Sequence, residues 1–173
     1  MKAFDNTGKK LPFVMASVIA LIVFNLQIFE GNPLVVYADS LANGLPTSCA
    51  GHTDKNDVVG TKLTAEHCEK VNTATAIKYS SIVLYCTNWD YLTAGRLAAL
   101  TLFAVNVGGN GACGSRAFSM INSGLIKQGC NAIAYSPSNT PVWSYGTDAK
   151  GQKFFIPGLF NRRLKERQMC LDG

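Results

Sequence analysis

Residues Leu11 to Phe29 form an uncharged, largely apolar run of 19 positions, and Glu30 stands directly behind it. At 1.5 Å per residue, a helix of that length crosses a hydrocarbon core of about 30 Å. Lys9 and Lys10 precede the run, and an excess of lysine on the inner side places everything after Phe29 outside. A cleaved leader has a shorter apolar region and a small-x-small site. The nearest passable site, Val36-Tyr37-Ala38, would cut away Glu30. Pro12, Ser17, Asn25 and Gln27 weaken the run as a permanent span, although it has no Gly and only Ala16 and Ala20. The expectation is an uncleaved, releasable anchor over 1–29, followed by a single domain over 30–173.

All six cysteines, Cys49, Cys68, Cys86, Cys113, Cys130 and Cys170, lie beyond the apolar run, where an exported chain meets an oxidising compartment. No CxxC pair occurs and His52 and His67 are the only histidines, so disulfides are favoured over a zinc cluster. Six cysteines allow fifteen pairings, and spacing alone does not choose among them.

The formal charge of +5 comes from sixteen basic and eleven acidic residues. Without Lys2, Lys9, Lys10 and Asp5, the stretch from Glu30 onward keeps thirteen basic against ten acidic. That balance suits an anionic polymer as well as it suits plain solubility. No basic run with interleaved aromatics is present, so nucleic acid is not an expected partner.

From Tyr37 to Thr53 the chain is rich in Gly, Ser, Asn and Pro and reads as an irregular β-hairpin region. Thr64 is an N-cap for a helix to about Cys86, with Glu66 and Glu69 favoured near its start. Thr93 caps a second helix whose Leu97, Leu100, Ala104 and Val107 recur at three and four, with Gly108-Gly109 as its stop. This is the candidate buried central helix. Shorter helices are expected at Gly114 to Asn122 and Leu125 to Ala134, and Pro157 opens a last basic helix.

The order Glu30-Gly31, five residues, Tyr37-Ala38-Asp39, then a Gly and Thr47, ending in Gly51-His52, resembles the phage-type lysozymes of glycoside hydrolase family 24. Leu92-Thr93, Phe103 to Gly108, Ile121 to Gly124, and Gly158-Leu159 before Arg162-Arg163 extend the resemblance over everything from Glu30 onward. The apolar run leading straight into the motif resembles the signal-anchor-release endolysins with which phages lyse Gram-negative hosts. Asp39 to Thr47 is two residues longer than the family's usual spacing, which places an insertion around Leu41-Ala42-Asn43.

The resemblance implies an α+β lysozyme-like fold, with a small β-hairpin lobe, a larger helical lobe and an N-terminal apolar helix. It implies hydrolysis of the β-1,4 bond between N-acetylmuramic acid and N-acetylglucosamine in peptidoglycan. No cofactor or metal is implied. Glycoside hydrolysis needs one acid at the leaving oxygen and one base or nucleophile across the sugar. Among the eleven carboxylates, Glu30 at the end of an apolar helix suits the acid, while Asp39 on a Gly-rich turn suits the base, holding water with Thr47. Arg162 and Arg163, with Arg167, would bind substrate carboxylates or form a solvated face. His52 reads as a structural hydrogen-bonding residue. The implied fold brings together Cys49 with Cys68, Cys86 with Cys113, and Cys130 with Cys170. The expected protein acts as a monomer, tethered to the inner membrane facing the periplasm and then released there. Two rivals remain: a lytic transglycosylase, which needs no Asp-held water, and a non-catalytic anchored module that binds the cell wall.

Overall fold

The computed structural model describes residues 10–39, 44–148 and 150–173, with side chains of the first helix described from Met15 onward. Lys2, Lys9 and the expected insertion at Leu41-Ala42-Asn43 lie outside the described residues. The chain forms two compact units, one of residues up to Val18 together with Tyr79–Gly173, the other of Ile19–Lys78. Two helices, α1 (Lys10–Glu30) and α2 (Ala65–Cys86), run from one unit into the other.

The smaller unit is built from short strands because its sequence is dense in turn formers. Strands β1 (Tyr37–Asp39), β2 (Leu45–Ser48) and β3 (His52–Thr53) form an antiparallel sheet in the order β1-β2-β3. Gly31, at φ +73°, takes the left-handed conformation that ends α1 immediately after Glu30. Along α1, Val18, Ile22 and Leu26 are buried at intervals of four, whereas Leu21, Phe24 and Ile28 are exposed. Among the described residues, no helix is long and apolar enough to cross a membrane.

The larger unit is organised on α3 (Ala94–Val107), in which all eight residues from Leu97 to Ala104 are buried. A helix apolar on every side has to be central. Its Thr93 side chain accepts from the Arg96 amide, and Gly108 at φ +81° terminates it. Around it stand α4 (Gly109–Cys113), α5 (Arg116–Asn122), α6 (Ile126–Asn131) and α7 (Pro157–Asp172), with a hairpin of β4 (Tyr145–Thr147) and β5 (Lys153–Phe155). Phe103 of α3 packs on Phe118 of α5 at 6.5 Å and edge-on to Trp143 at 5.5 Å between ring centres.

Disulfides join Cys49 to Cys68, Cys86 to Cys113 and Cys130 to Cys170, the pairs that the resemblance implies. Close packing of α5 on α6 depends on Gly129. A Cβ there would lie 2.5 Å from Ile121 Cγ1 and 2.9 Å from the Ala117 carbonyl. Gly129→Ala is therefore expected to destabilise the fold by about 1–3 kcal/mol through overpacking, read as a lowered melting temperature. An unchanged melting curve would show that the two helices separate freely.

Candidate active site

Glu30, Asp39 and Thr47 all belong to the smaller unit. Glu30 is the last residue of α1, half-buried, and the turn after β2 passes against its carboxyl group. That turn is Cys49-Ala50-Gly51, with Cys49 at φ +51° and Gly51 at φ +75°. A Cβ on Gly51 would lie 3.3 Å from Glu30 Cδ and 3.4 Å from its Oε2. Glycine is needed here twice, once for the left-handed backbone and once for the space the carboxyl group occupies.

The turn itself is fastened to α2. The Cys49–Cys68 disulfide ties it covalently, and the buried Asn72 side chain accepts from the Ala50 amide at 3.1 Å. The same Asn72 donates through Nδ2 to Asn32 Oδ1 at 3.3 Å, two residues beyond Glu30. One buried amide thus links the chain just after Glu30 to the turn that faces it.

In the sheet, Tyr37 lies directly opposite Thr47, and Asp39 opposite Leu45. Opposed residues of an antiparallel pair share a face, as do residues two apart on a strand, so Tyr37, Asp39 and Thr47 all point to one side. Asp39 and Thr47 are diagonal neighbours, for which about 7–8 Å between Cα atoms is usual. Thr47 is buried and donates its hydroxyl to the Leu45 carbonyl at 3.1 Å, which leaves the oxygen lone pairs as acceptors. The Tyr37 hydroxyl is pushed up from its ordinary value by partial burial, then by the charges of Asp39 and Glu30. Burial and both carboxylate charges disfavour the phenolate, so the Tyr37 phenol stays protonated.

The other expected site residues fall elsewhere. Arg162 and Arg163 are buried in the larger unit, so neither forms a solvated face nor presents its guanidinium to a glycan, correcting the expectation for both. Arg162 Nε donates to Glu166 Oε1 at 2.9 Å and Arg163 Nη2 to the same oxygen at 2.7 Å. Arg162 also donates to the Leu102 carbonyl at 3.1 Å, and the Arg163 guanidinium stands 5.2 Å from the centre of the Phe103 ring. Burial pushes the Glu166 carboxyl up, against the opposing pull of Arg163 and Arg162. His52 pairs with Ser48 across β2 and β3. Among the described residues, no cluster of three His, Cys, Asp or Glu side chains is arranged to hold a metal.

Sequence reasoning missed Asn72 and Tyr37. Nothing local marks Asn72, because its partners lie 22 and 40 residues away. Tyr37 was visible only as part of the Tyr37-Ala38-Asp39 pattern. Gly51→Ala is expected to force the Glu30 carboxyl out of place and to cost about 1–2 kcal/mol in backbone strain. A displacement of that kind lowers turnover by on the order of 10²-fold. Steady-state rates on purified wall, compared with those of a chain of matched thermal stability, separate the two effects.

The phage lysozyme family model matches residues 27–166. Among solved structures, an endolysin from Escherichia coli O157:H7 phage FAHEc1 superposes with a TM-score of 0.74 at 27% identity, covering 88% of this chain and 91% of that one. The muramidase domain of SpmX from Asticaccaulis excentricus superposes with a TM-score of 0.70 at 22% identity, covering 90% and 95%, and supports the fold alone. No curated protein matches in sequence. Matched by that family model over residues 27–166, the greater part of its length, the chain belongs to the phage lysozyme family and is a glycoside hydrolase.

Proposed function

We propose that the protein is an endolysin that hydrolyses the β-1,4 bond between N-acetylmuramic acid and N-acetylglucosamine in peptidoglycan, with Glu30 as the general acid. The observation that carries this reading is the turn at Gly51, which leaves room for the Glu30 carboxyl, in the same unit as a sheet that sets Asp39 and Thr47 on one face. Glu30 gives its proton to the leaving oxygen. Asp39 and Thr47 each accept a hydrogen from one water, which turns a lone pair of that water towards the anomeric carbon. Because the Thr47 hydroxyl hydrogen is engaged by Leu45, that side chain is set as an acceptor.

Attack from the face opposite the acid inverts the anomeric centre and requires carboxyl groups roughly 6.5–9.5 Å apart. Digestion of purified peptidoglycan is expected to give reducing N-acetylmuramic acid ends that appear first as the α-anomer by NMR. A cyclised, non-reducing end would identify a lytic transglycosylase, and an undigested wall would leave only a binding module.

The apolar segment is proposed to hold the enzyme at the inner membrane, facing the periplasm, before release. Val18, Ile22 and Leu26 support two states, because side chains buried within the protein cannot at the same time face lipid. Release draws positive charge outward against a potential worth about 2.3 kcal/mol per charge per 100 mV, so depolarisation favours it. Fractionation after an uncoupler is expected to move the protein at unchanged mass from membrane to soluble fraction, with activity appearing only there. A shorter soluble product beginning at Asp39 would establish cleavage instead.

A further inference from the structure

Within the smaller unit, the buried stripe of α2 runs Cys68, Asn72, Ala76. A carboxamide in the middle of that stripe has a cost. An apolar side chain would fill the same space, and an amide group taken out of water is tolerated only where its hydrogen bonds are replaced. Asn72 replaces them from both ends of one group. Its Oδ1 accepts from the Ala50 amide at 3.1 Å, and its Nδ2 donates to Asn32 Oδ1 at 3.3 Å. Of the side chains of this length, asparagine alone accepts at one atom and donates at another without carrying a charge.

The two partners flank the two soft points around Glu30. Asn32 follows Gly31, at φ +73°, where the chain leaves the helix end, and Ala50 precedes Gly51, at φ +75°, which faces the Glu30 carboxyl. Glycine at such an angle turns the chain and leaves it free to turn further. Other ties are present but act elsewhere. The Cys49–Cys68 disulfide and the Cys49 amide, which donates to the Pro33 carbonyl at 3.2 Å, act one residue before Ala50 and one after Asn32. Neither reaches the residues beside the two glycines. Asn72 reaches both.

We infer that Asn72 is a positioning residue for the general acid: by holding Asn32 and Ala50 together, it fixes where the Glu30 carboxyl stands against the Gly51 turn. Its side chain is buried, so it acts without meeting the glycan. A reacting group has to be held to within about 0.5 Å of its productive place, and hydrogen bonds to the backbone around it are the usual means. The role rests on the reading of Glu30 as the acid. The clamp itself does not, since it is drawn from hydrogen bonds alone.

The test compares full-length variants on purified peptidoglycan, at a temperature where circular dichroism shows each one folded. Asn72→Ala keeps the disulfide and the Cys49–Pro33 bond that hold the turn in the fold. It is expected to lower kcat by between about tenfold and 10²-fold with KM unchanged, as for a reacting group displaced by a fraction of an ångström. Asn32→Ala removes one of the two bonds and should lower kcat about fivefold. The double variant should lose no more than Asn72→Ala alone, because the Asn32 bond is already gone in it. A second readout follows the carboxyl group. With glutamate labelled by carbon-13 at the side-chain carboxyl, Glu30 gives one of four signals, assigned by its loss in Glu30→Gln. That signal should move or broaden in Asn72→Ala while the signal of Glu166 stays.

A folded Asn72→Ala with the parental kcat and only a lower melting temperature would overturn the proposal, because that is the behaviour of a purely structural asparagine. A raised KM at constant kcat, losses that add in the double variant, or an unmoved Glu30 signal would overturn it as well. Should Asn72→Ala fail to fold, Asn32→Ala, at a half-buried residue, decides by the same kcat and carboxyl readouts. Full activity in Glu30→Gln would remove Glu30 as the acid, while its signal in the parent and in Asn72→Ala would still show whether Asn72 sets its position.

Discussion

Glu30→Gln is expected to fold as the parent does and to lose roughly four orders of magnitude in wall hydrolysis, the upper range for removing a positioned acid. The amide keeps the shape that Gly51 accommodates, so the turn at Cys49-Ala50-Gly51 should not move. What it lacks is a proton to give to the leaving oxygen. Asp39→Asn should lose two to three orders, about the worth of a positioned base, because the water keeps Thr47 but loses its proton acceptor. Release of dye from labelled wall, measured with circular dichroism on the same samples, checks both. Should Glu30→Gln keep more than about a tenth of the activity with an unaltered spectrum, some other carboxyl group is the acid.

The second large effect concerns stability. In Glu166→Ala, the guanidinium groups of Arg162 and Arg163 remain in the interior without the carboxylate oxygen they share. Removing one member of a buried ion cluster costs about 3–5 kcal/mol, because the charges left behind were desolvated on the strength of the partner. For a chain of this size that corresponds to roughly 6–20 °C in melting temperature. Activity at low temperature should survive, since Glu166 lies on α7 in the unit that does not carry Glu30. A melting temperature within a degree of the parent would mean that water enters the cluster and solvates it.

That cluster also shows where sequence reasoning stops. Arg162, Arg163 and Glu166 at spacings of three and four read equally well as a solvated helix face, because periodicity carries no information about which charged face is covered. Only the packing of α7 on α3, through Leu102 and Phe103, turns them inward. By contrast, α2, α3 and α7 were legible because their ends carry local chemistry. Thr64 accepts from the His67 amide, Thr93 from Arg96, and Pro157 begins α7.

The β4–β5 hairpin was not legible. Its strands are three residues each, too short for alternation to register, although Asp148 accepting from the Lys150 and Gln152 amides makes a recognisable turn in hindsight. Helix α4 was hidden for the opposite reason. Gly108-Gly109 reads as a stop, and the segment that follows is helical because the Ala112 amide reaches the Gly108 carbonyl and Cys113 is tied to Cys86. The candidate site was legible as spacing, while its geometry depends on strand register and on Asn72, which act over distances that no local pattern records.

Each cysteine in this chain is bonded to the next one along it, first with second, third with fourth, fifth with sixth. For a polypeptide threaded amino end first into an oxidising space, the native partner is then always the nearest unpaired thiol already present when the second of a pair emerges. Oxidation in order of arrival yields the native pattern with nothing to undo. A simple thiol oxidase should suffice for maturation, and cells lacking disulfide isomerase activity should yield as much correctly bridged protein as normal ones.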